Sequence, residues 1–156
     1  MKRLFVLMGL LVVAALVVPA CAPATPDCKS DQVFCAALVT DVGKINDKSF
    51  NQSAWEGVQQ AEKELGAKVQ YIETADGKDY AKNIATFGDA KYDVVVTVGF
   101  NLGNDTIAAA KTYPGTKFIG VDQFQAWPYT DDKADDIANL TGLNFPEDNA
   151  GFLVVA

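Results

Sequence analysis

Val94-Val95-Val96-Thr97-Val98 constrains this chain more than any other stretch. A near-continuous apolar run does not suit a strand with one wet face; it fits a central strand of a parallel sheet, covered above and below. Parallel neighbours must be reached by crossovers, and the chain supplies the pieces. Strand candidates fall at Val33–Thr40, Lys68–Glu73, Tyr92–Val98, Lys117–Asp122 and Leu140–Phe145, short and mostly rich in β-branched or aromatic residues. Helical patterns lie between them. Phe50, Ala54, Val58, Ala61 and Leu65 recur at three- and four-residue steps, Gly66 supplies a stop, and Ser49 with Gln52 has the spacing of a capping box. A second helix, about Asp79 to Gly88, places Tyr80, Ile84 and Phe87 on one face, and an alanine-rich third, about Asn104 to Tyr113, is closed by Pro114-Gly115. Strands alternating with helices predict right-handed βαβ units and an α/β fold: a Rossmann-like parallel sheet with flanking helices.

The chemistry available to such a fold is narrowed by what the 156 residues contain. There are 13 Lys+Arg against 20 Asp+Glu. Without Lys2 and Arg3 the balance becomes 11 against 20, a net charge of about −9. That excludes a nucleic-acid binder, since phosphate recognition depends on clustered cations that release counterions. No histidine is present, which removes imidazole catalysis and His-ligated metal sites. No catalytic residue, metal or cofactor is expected, and the chain reads as a non-enzyme. Asp131, Asp132, Asp135 and Asp136 lack the Gly and terminal Glu of a calcium loop. With Trp127-Pro128-Tyr129 they read as an acidic surface loop between Gln123 and Asn139.

The N-terminus reads as an export signal. Met1-Lys2-Arg3 precedes an apolar run from Leu4 to Val18, shorter than the roughly 20 residues of a comfortable membrane span. It ends in Val18-Pro19-Ala20-Cys21, which resembles the bacterial lipobox and makes Cys21 the candidate lipidation site; an ordinary secretory signal is the alternative. Residues 1–20 are thus read as signal peptide and residues 21–32 as a lipidated cysteine with a flexible, proline-bearing tether. The chain is expected outside the cell, lipid-anchored to the outer face of the bacterial cell membrane. An exported setting permits disulfides, and the spacing of Cys28 and Cys35 predicts a bridge onto the first strand, the alternative being a free Cys28 and a buried Cys35.

Residues 33–145 make the α/β lobe, and its strands deliver polar groups to one rim. Asp41 follows the first strand within the loop Asp41–Asn51, Gly99-Phe100-Asn101 follows the third, and Asp122-Gln123 the fourth. The carboxyl edge of an open α/β sheet is where ligands bind. Carboxylates and amides beside an aromatic ring suit a polar, uncharged, flat ligand. Phosphate is disfavoured, because no GxGxxG or P-loop is present and the rim is acidic. Position alone leaves Asp41 and Asn51 equally open as turn formers or caps, and the apolar register of Phe50 favours core over ligand contact.

Asp41-Val42-Gly43 followed by Asp47-Lys48-Ser49-Phe50-Asn51-Gln52-Ser53-Ala54-Trp55-Glu56-Gly57 resembles the signature of the basic membrane protein lipoproteins, the purine-nucleoside receptor group of ABC-transporter substrate-binding proteins. Tyr92–Phe100, Lys117–Gln123 and Ala150-Gly151-Phe152-Leu153 are similar to later segments of that family. The resemblance implies the N-terminal lobe of a type I periplasmic-binding-protein fold that clamps a nucleoside between two lobes and presents it to an ABC permease. It further implies that Phe50 stacks on the base, that Asp41 and Asn51 bond its edge, and that Asp122 lies near the ribose; Gly99, by its place on the rim after the third strand, is a further candidate contact.

A same-fold binder of a sugar, an autoinducer or another small metabolite is a competing reading, and so is a surface lipoprotein acting as an adhesin. A phospho-receiver on a flavodoxin-like sheet would need a lysine on the last strand, which is missing. Residues 146–156 begin a crossing helix, with Pro146 near its start, acids in its first turn and then an apolar run. That run stops without a cap or a polar tail, so the expectation is a truncated chain whose second lobe is missing.

Overall fold

The computed structural model describes residues 28–30, 32–123 and 137–145. The signal sequence, Cys21 and the tether as far as Asp27, the acidic connection 124–136 and the segment 146–156 lie outside the described residues. Five strands form one sheet: β1 (Cys35–Val42), β2 (Lys68–Thr74), β3 (Val94–Val98), β4 (Lys117–Val121) and β5 (Leu140–Leu143). Their order is β2-β1-β3-β4-β5 and every neighbouring pair is parallel. Helices α1 (Phe50–Leu65), α2 (Tyr80–Asp89) and α3 (Gly103–Thr112) make the crossovers, with single 3-10 turns at Gly77–Asp79 and Phe100–Leu102.

Side-chain alternation along the strands builds a core on each face of the sheet. Cys35, Ala37 and Val39 of β1, Val95 of β3, Phe118 and Leu140 pack with Tyr80, Ile84 and Phe87 of α2 and with Ile107, Ala109 and Ala110 of α3. Ala36, Leu38, Val96 and Val98 point the other way, toward Val58 of α1. Residues Val95 to Val98 are all buried, as a strand covered on both faces requires. Among the described residues the α1 face is covered less completely. Val94, Val96, Ile119, Val121 and Leu143 line an apolar groove of about 380 Å³ beside α1.

Several sequence boundaries shift. The first strand runs Cys35–Val42 in place of Val33–Thr40, because Phe34 is exposed before the sheet begins and the β1–β2 register slips between Val39 and Val42. The third begins at Val94: the Tyr92 N–H closes the preceding turn by donating to the Phe87 carbonyl, and its hydroxyl donates to Gln70 on β2. The predicted apolar stripe of α1 is buried only at Val58, since Phe50 and Leu65 overhang the sheet at 47% and 70% exposure. Gly66 closes that helix in the left-handed region, φ 69°, its N–H donating to Glu62 O at 3.1 Å.

The capping box is replaced. Ser49 makes no side-chain cap bond; the Asp47 carboxylate accepts from the backbone N–H of Ser49, Gln52 and Asn51 at 2.8, 3.1 and 3.2 Å. Gln52 reaches back to the N–H of Lys48 rather than to that of Ser49. A carboxylate three residues before the helix outcompetes a hydroxyl for these donors because it accepts several at once and complements the helix dipole. At the opposite, amino end of the sheet a Cys28–Cys35 disulfide joins the start of β1 to the residues before it, with the two Cα atoms 5.7 Å apart.

Candidate functional site

The strand order reverses between β1 and β3, and in open α/β sheets the crevice beyond the carboxyl ends of such a pair is the ligand-binding position. Asp41 stands at the end of β1 and Gly99 just after β3, so these two residues face one another across the reversal. The register slip near the end of β1 is what aims Asp41. Thr40 secures the slip: its hydroxyl accepts from Thr74 N–H at 3.1 Å and donates to Asp41 O at 2.8 Å.

Asp41, Asn51 and Gly99 come together. Asn51 Nδ2 donates to Asp41 Oδ1 at 2.9 Å across ten residues of sequence, and the Asn51 backbone N–H is held by Asp47. A carboxylate accepts only, so this bond fixes the amide with its oxygen turned away from Asp41. That oxygen, Asn51 Oδ1, is buried and has no hydrogen-bond partner among the described residues. Gly99 adopts φ 100°, and a Cβ there would lie 3.0 Å from Asp41 Cβ and 3.2 Å from Oδ2. Glycine is therefore required twice, for its backbone angle and for the close approach. Gly43 is nearly as tight, since its Cβ would fall 3.1 Å from Asp41 Oδ1 and 3.2 Å from Asn51 Nδ2.

Phe50 precedes Asn51 and is 47% exposed, with its ring against Phe145 just beyond β5. Its register on α1 suggested core; its place in the first turn, beyond the sheet edge, leaves it at the rim. Asp122 stands one strand further over, after β4, with φ 57° and its N–H donating to Leu143 O at 2.9 Å. The structure joins it to the Asp41 cluster through its neighbour Gln123, whose Nε2 donates to Gly99 O at 3.0 Å.

The loop between Gly43 and Asp47 is tied to the end of β2 by Glu73. Its carboxylate accepts from Ile45 N–H at 2.8 Å and from Lys44 Nζ at 2.9 Å, and those two bonds hold it below the ordinary carboxylate range. Sequence reasoning missed Glu73, Asp47 and Phe145 as supports of the site. Only Asp47 carried a signal, a short acceptor just before a helix. Among the described residues no group of His, Cys, Asp and Glu side chains is arranged to hold a metal ion. The rim offers carboxylate and amide acceptors beside exposed rings, groups suited to holding a small polar ligand.

Similarity to known proteins spans most of the chain. The family described as ABC transporter substrate-binding protein PnrA-like, Bmp, matches residues 34–154. The chain is 31% identical over 164 residues to a CD4+ T-cell-stimulating antigen of Listeria monocytogenes, covering 98% of this chain and 43% of that protein. It is 34% identical over 122 residues to the ABC transporter nucleoside-binding protein BmpA of Lactococcus lactis, covering 76% of this chain and 32% of that one. A solute-binding protein of an ABC transporter system from Aeropyrum pernix superposes with a TM-score of 0.63 at 26% identity, over 78% of this chain and 31% of the other. The chain thus spans less than half the length of these relatives. Its parallel sheet, the Asp41–Gly99 crevice and the match from residue 34 to 154 together make this chain a member of the Bmp family of PnrA-like ABC transporter substrate-binding proteins.

Proposed function

We propose that this chain supplies one wall of a purine-nucleoside site in an exported importer component, lipid-anchored through Cys21, which hands its ligand to a membrane permease. The observation that carries the reading is the Asp41–Asn51 pair, 2.9 Å apart, set beside the exposed Phe50 ring. Phe50 stacks on the base. Asp41 and Asn51 bond its edge, the second Asp41 oxygen accepting from its N–H groups. Gly99 lets the ligand edge approach the backbone, and Asp122 takes a ribose hydroxyl. The name of the Lactococcus relative, a nucleoside-binding protein, supports the ligand class, and the names of Pyrococcus relatives, called lipoproteins, support the anchor. No covalent step is involved; transport is driven elsewhere in the complex.

Calorimetric titration of the intact protein with guanosine, inosine and adenosine, beside ribose and glucose, tests the ligand. Saturable heat with a nucleoside is expected, and saturation with a sugar alone would overturn the assignment. Palmitate labelling that is lost in a Cys21→Ser variant tests the anchor.

A further inference from the structure

Gln123 is 4% exposed and sits at the far side of Gly99 from Asp41. Its carboxamide nitrogen donates to Gly99 O at 3.0 Å and to Thr97 Oγ1 at 3.1 Å, with Thr97 O a longer 3.4 Å away. The Thr97 and Thr106 hydroxyls are 2.8 Å apart, and Thr106 donates in turn to Leu102 O at 2.9 Å. One buried amide thus reaches the end of β3, the turn after it and, through two threonines, the start of α3. Room for it is cleared by Gly120 of β4: a Cβ at that position would fall within 2.8 Å of Gln123 Cδ and 2.9 Å of its Cβ.

The far side of the Gly99 peptide bears on Asp41. With φ at 100° the Gly99 Cα stands flush against the Asp41 side chain, close enough that even a methyl group would press on its Cβ and Oδ2. Backbone at a positive φ persists where surrounding bonds hold it. Here the bonds are Gly99 N–H to Val121 O at 2.9 Å and, at Gly99 O, the Leu102 N–H at 3.2 Å together with the closer Gln123 Nε2–H at 3.0 Å.

We propose that Gln123 is a positioning residue for the binding rim: its carboxamide holds the Gly99 peptide, and that peptide wedges Asp41 into the rotamer that meets Asn51. Gln123 acts on the ligand only through Asp41. The proposal rests on the reading of the Asp41 rim as a nucleoside site, but its mechanical part does not need a ligand. It extends the site from residues that touch the ligand to the strand β4, whose Gly120 becomes part of the same device.

The test is Gln123→Met, which keeps length and removes the donors, with Gln123→Asn, which keeps the amide but is one methylene short, as the variant to use if the first folds poorly. In the intact ligand-free protein the χ1 couplings and 13Cγ resonance of Asp41 are measured by NMR. Rotamer averaging of Asp41 is expected in either variant; wild-type couplings would overturn the proposal whatever the protein binds. Guanosine titrations then place the effect on the ligand. Gln123→Met is expected to raise the Kd about tenfold, the loss of one buried hydrogen-bonding group expressed as affinity. In an Asp41→Asn background the same change should alter the Kd less than about twofold, because coupled residues are not additive. Equal losses in both backgrounds would overturn the route through Asp41. A wild-type protein that ignores guanosine while Asp41 still averages in the variants would refute the nucleoside reading and leave the wedge standing.

Discussion

The rings of Phe50 and Phe145 lie 5.0 Å apart, tilted at 42°, so the first turn of α1 is braced by residues that follow the last strand of the sheet. The brace explains how a large ring stays in place at 47% exposure. Phe50→Ala is expected to weaken guanosine binding by roughly 1–3 kcal/mol, the range for a base that loses its stacking partner. Because the ring lies beyond the core, the midpoint of thermal unfolding should move little. Calorimetry beside differential scanning checks both.

Removing the Asp41 carboxylate should hurt the fold as well as the site. Asp41→Ala strips Asn51 Nδ2 of its acceptor while Asn51 remains buried, with Oδ1 already unpartnered among the described residues. A cost of about 1–3 kcal/mol to unfolding in urea is expected, together with loss of nucleoside heat.

Acid should loosen the start of α1. Desolvation pushes the Asp47 carboxyl up, but the N–H groups of Gln52, Ser49 and Asn51, with the Asn51 side chain, hold it below the ordinary value. A depressed folded-state pKa contributes stability that is present above the unfolded value of about 4 and is lost as pH falls through the folded value. Asp47 is largely exposed, so screening reduces its share. Asp47→Ala should cost about 0.5–2 kcal/mol at pH 7, as a lost helix cap does. The gap between variant and wild type should narrow as pH falls below the unfolded value, read from urea midpoints at each pH.

Gly88 on α2 has no room for a methyl group. A Cβ there would stand 2.6 Å from Tyr113 Cδ2, and the Tyr113 hydroxyl is committed to Asp89 at 2.8 Å. Gly88→Ala is expected to destabilise by about 1–3 kcal/mol despite the better helix propensity of alanine. Thermal unfolding checks the sign: a stabilised variant would mean that the ring yields freely.

The α/β architecture was legible in Val94–Val98 and in the alternation around it, because a buried parallel strand leaves a signature that a half-exposed strand does not. Tyr80, Ile84 and Phe87 were legible as one face, and all three are buried. The stripe through Phe50 and Leu65 misled, since periodicity reports which residues share a face and not how far the sheet extends beneath it. The Asp41–Asn51 loop was legible as a rim, whereas the roles of Glu73, Gln123 and Gly120 were not. Those roles depend on β2 and β4 arriving beside residues far away in sequence, and spacing carries no record of that.

The disulfide sets a direction for the whole domain. Cys35 begins β1 and Asp41 stands near its other end, roughly 20 Å away at the usual rise per strand residue. Any pull on the polypeptide before Cys28 enters the fold through the sulfur bridge at Cys35 and passes along the most deeply buried strand of the sheet. The rim therefore lies at the end of the sheet away from Cys28, and force entering there reaches it only along the axis of a strand held by partners on both sides.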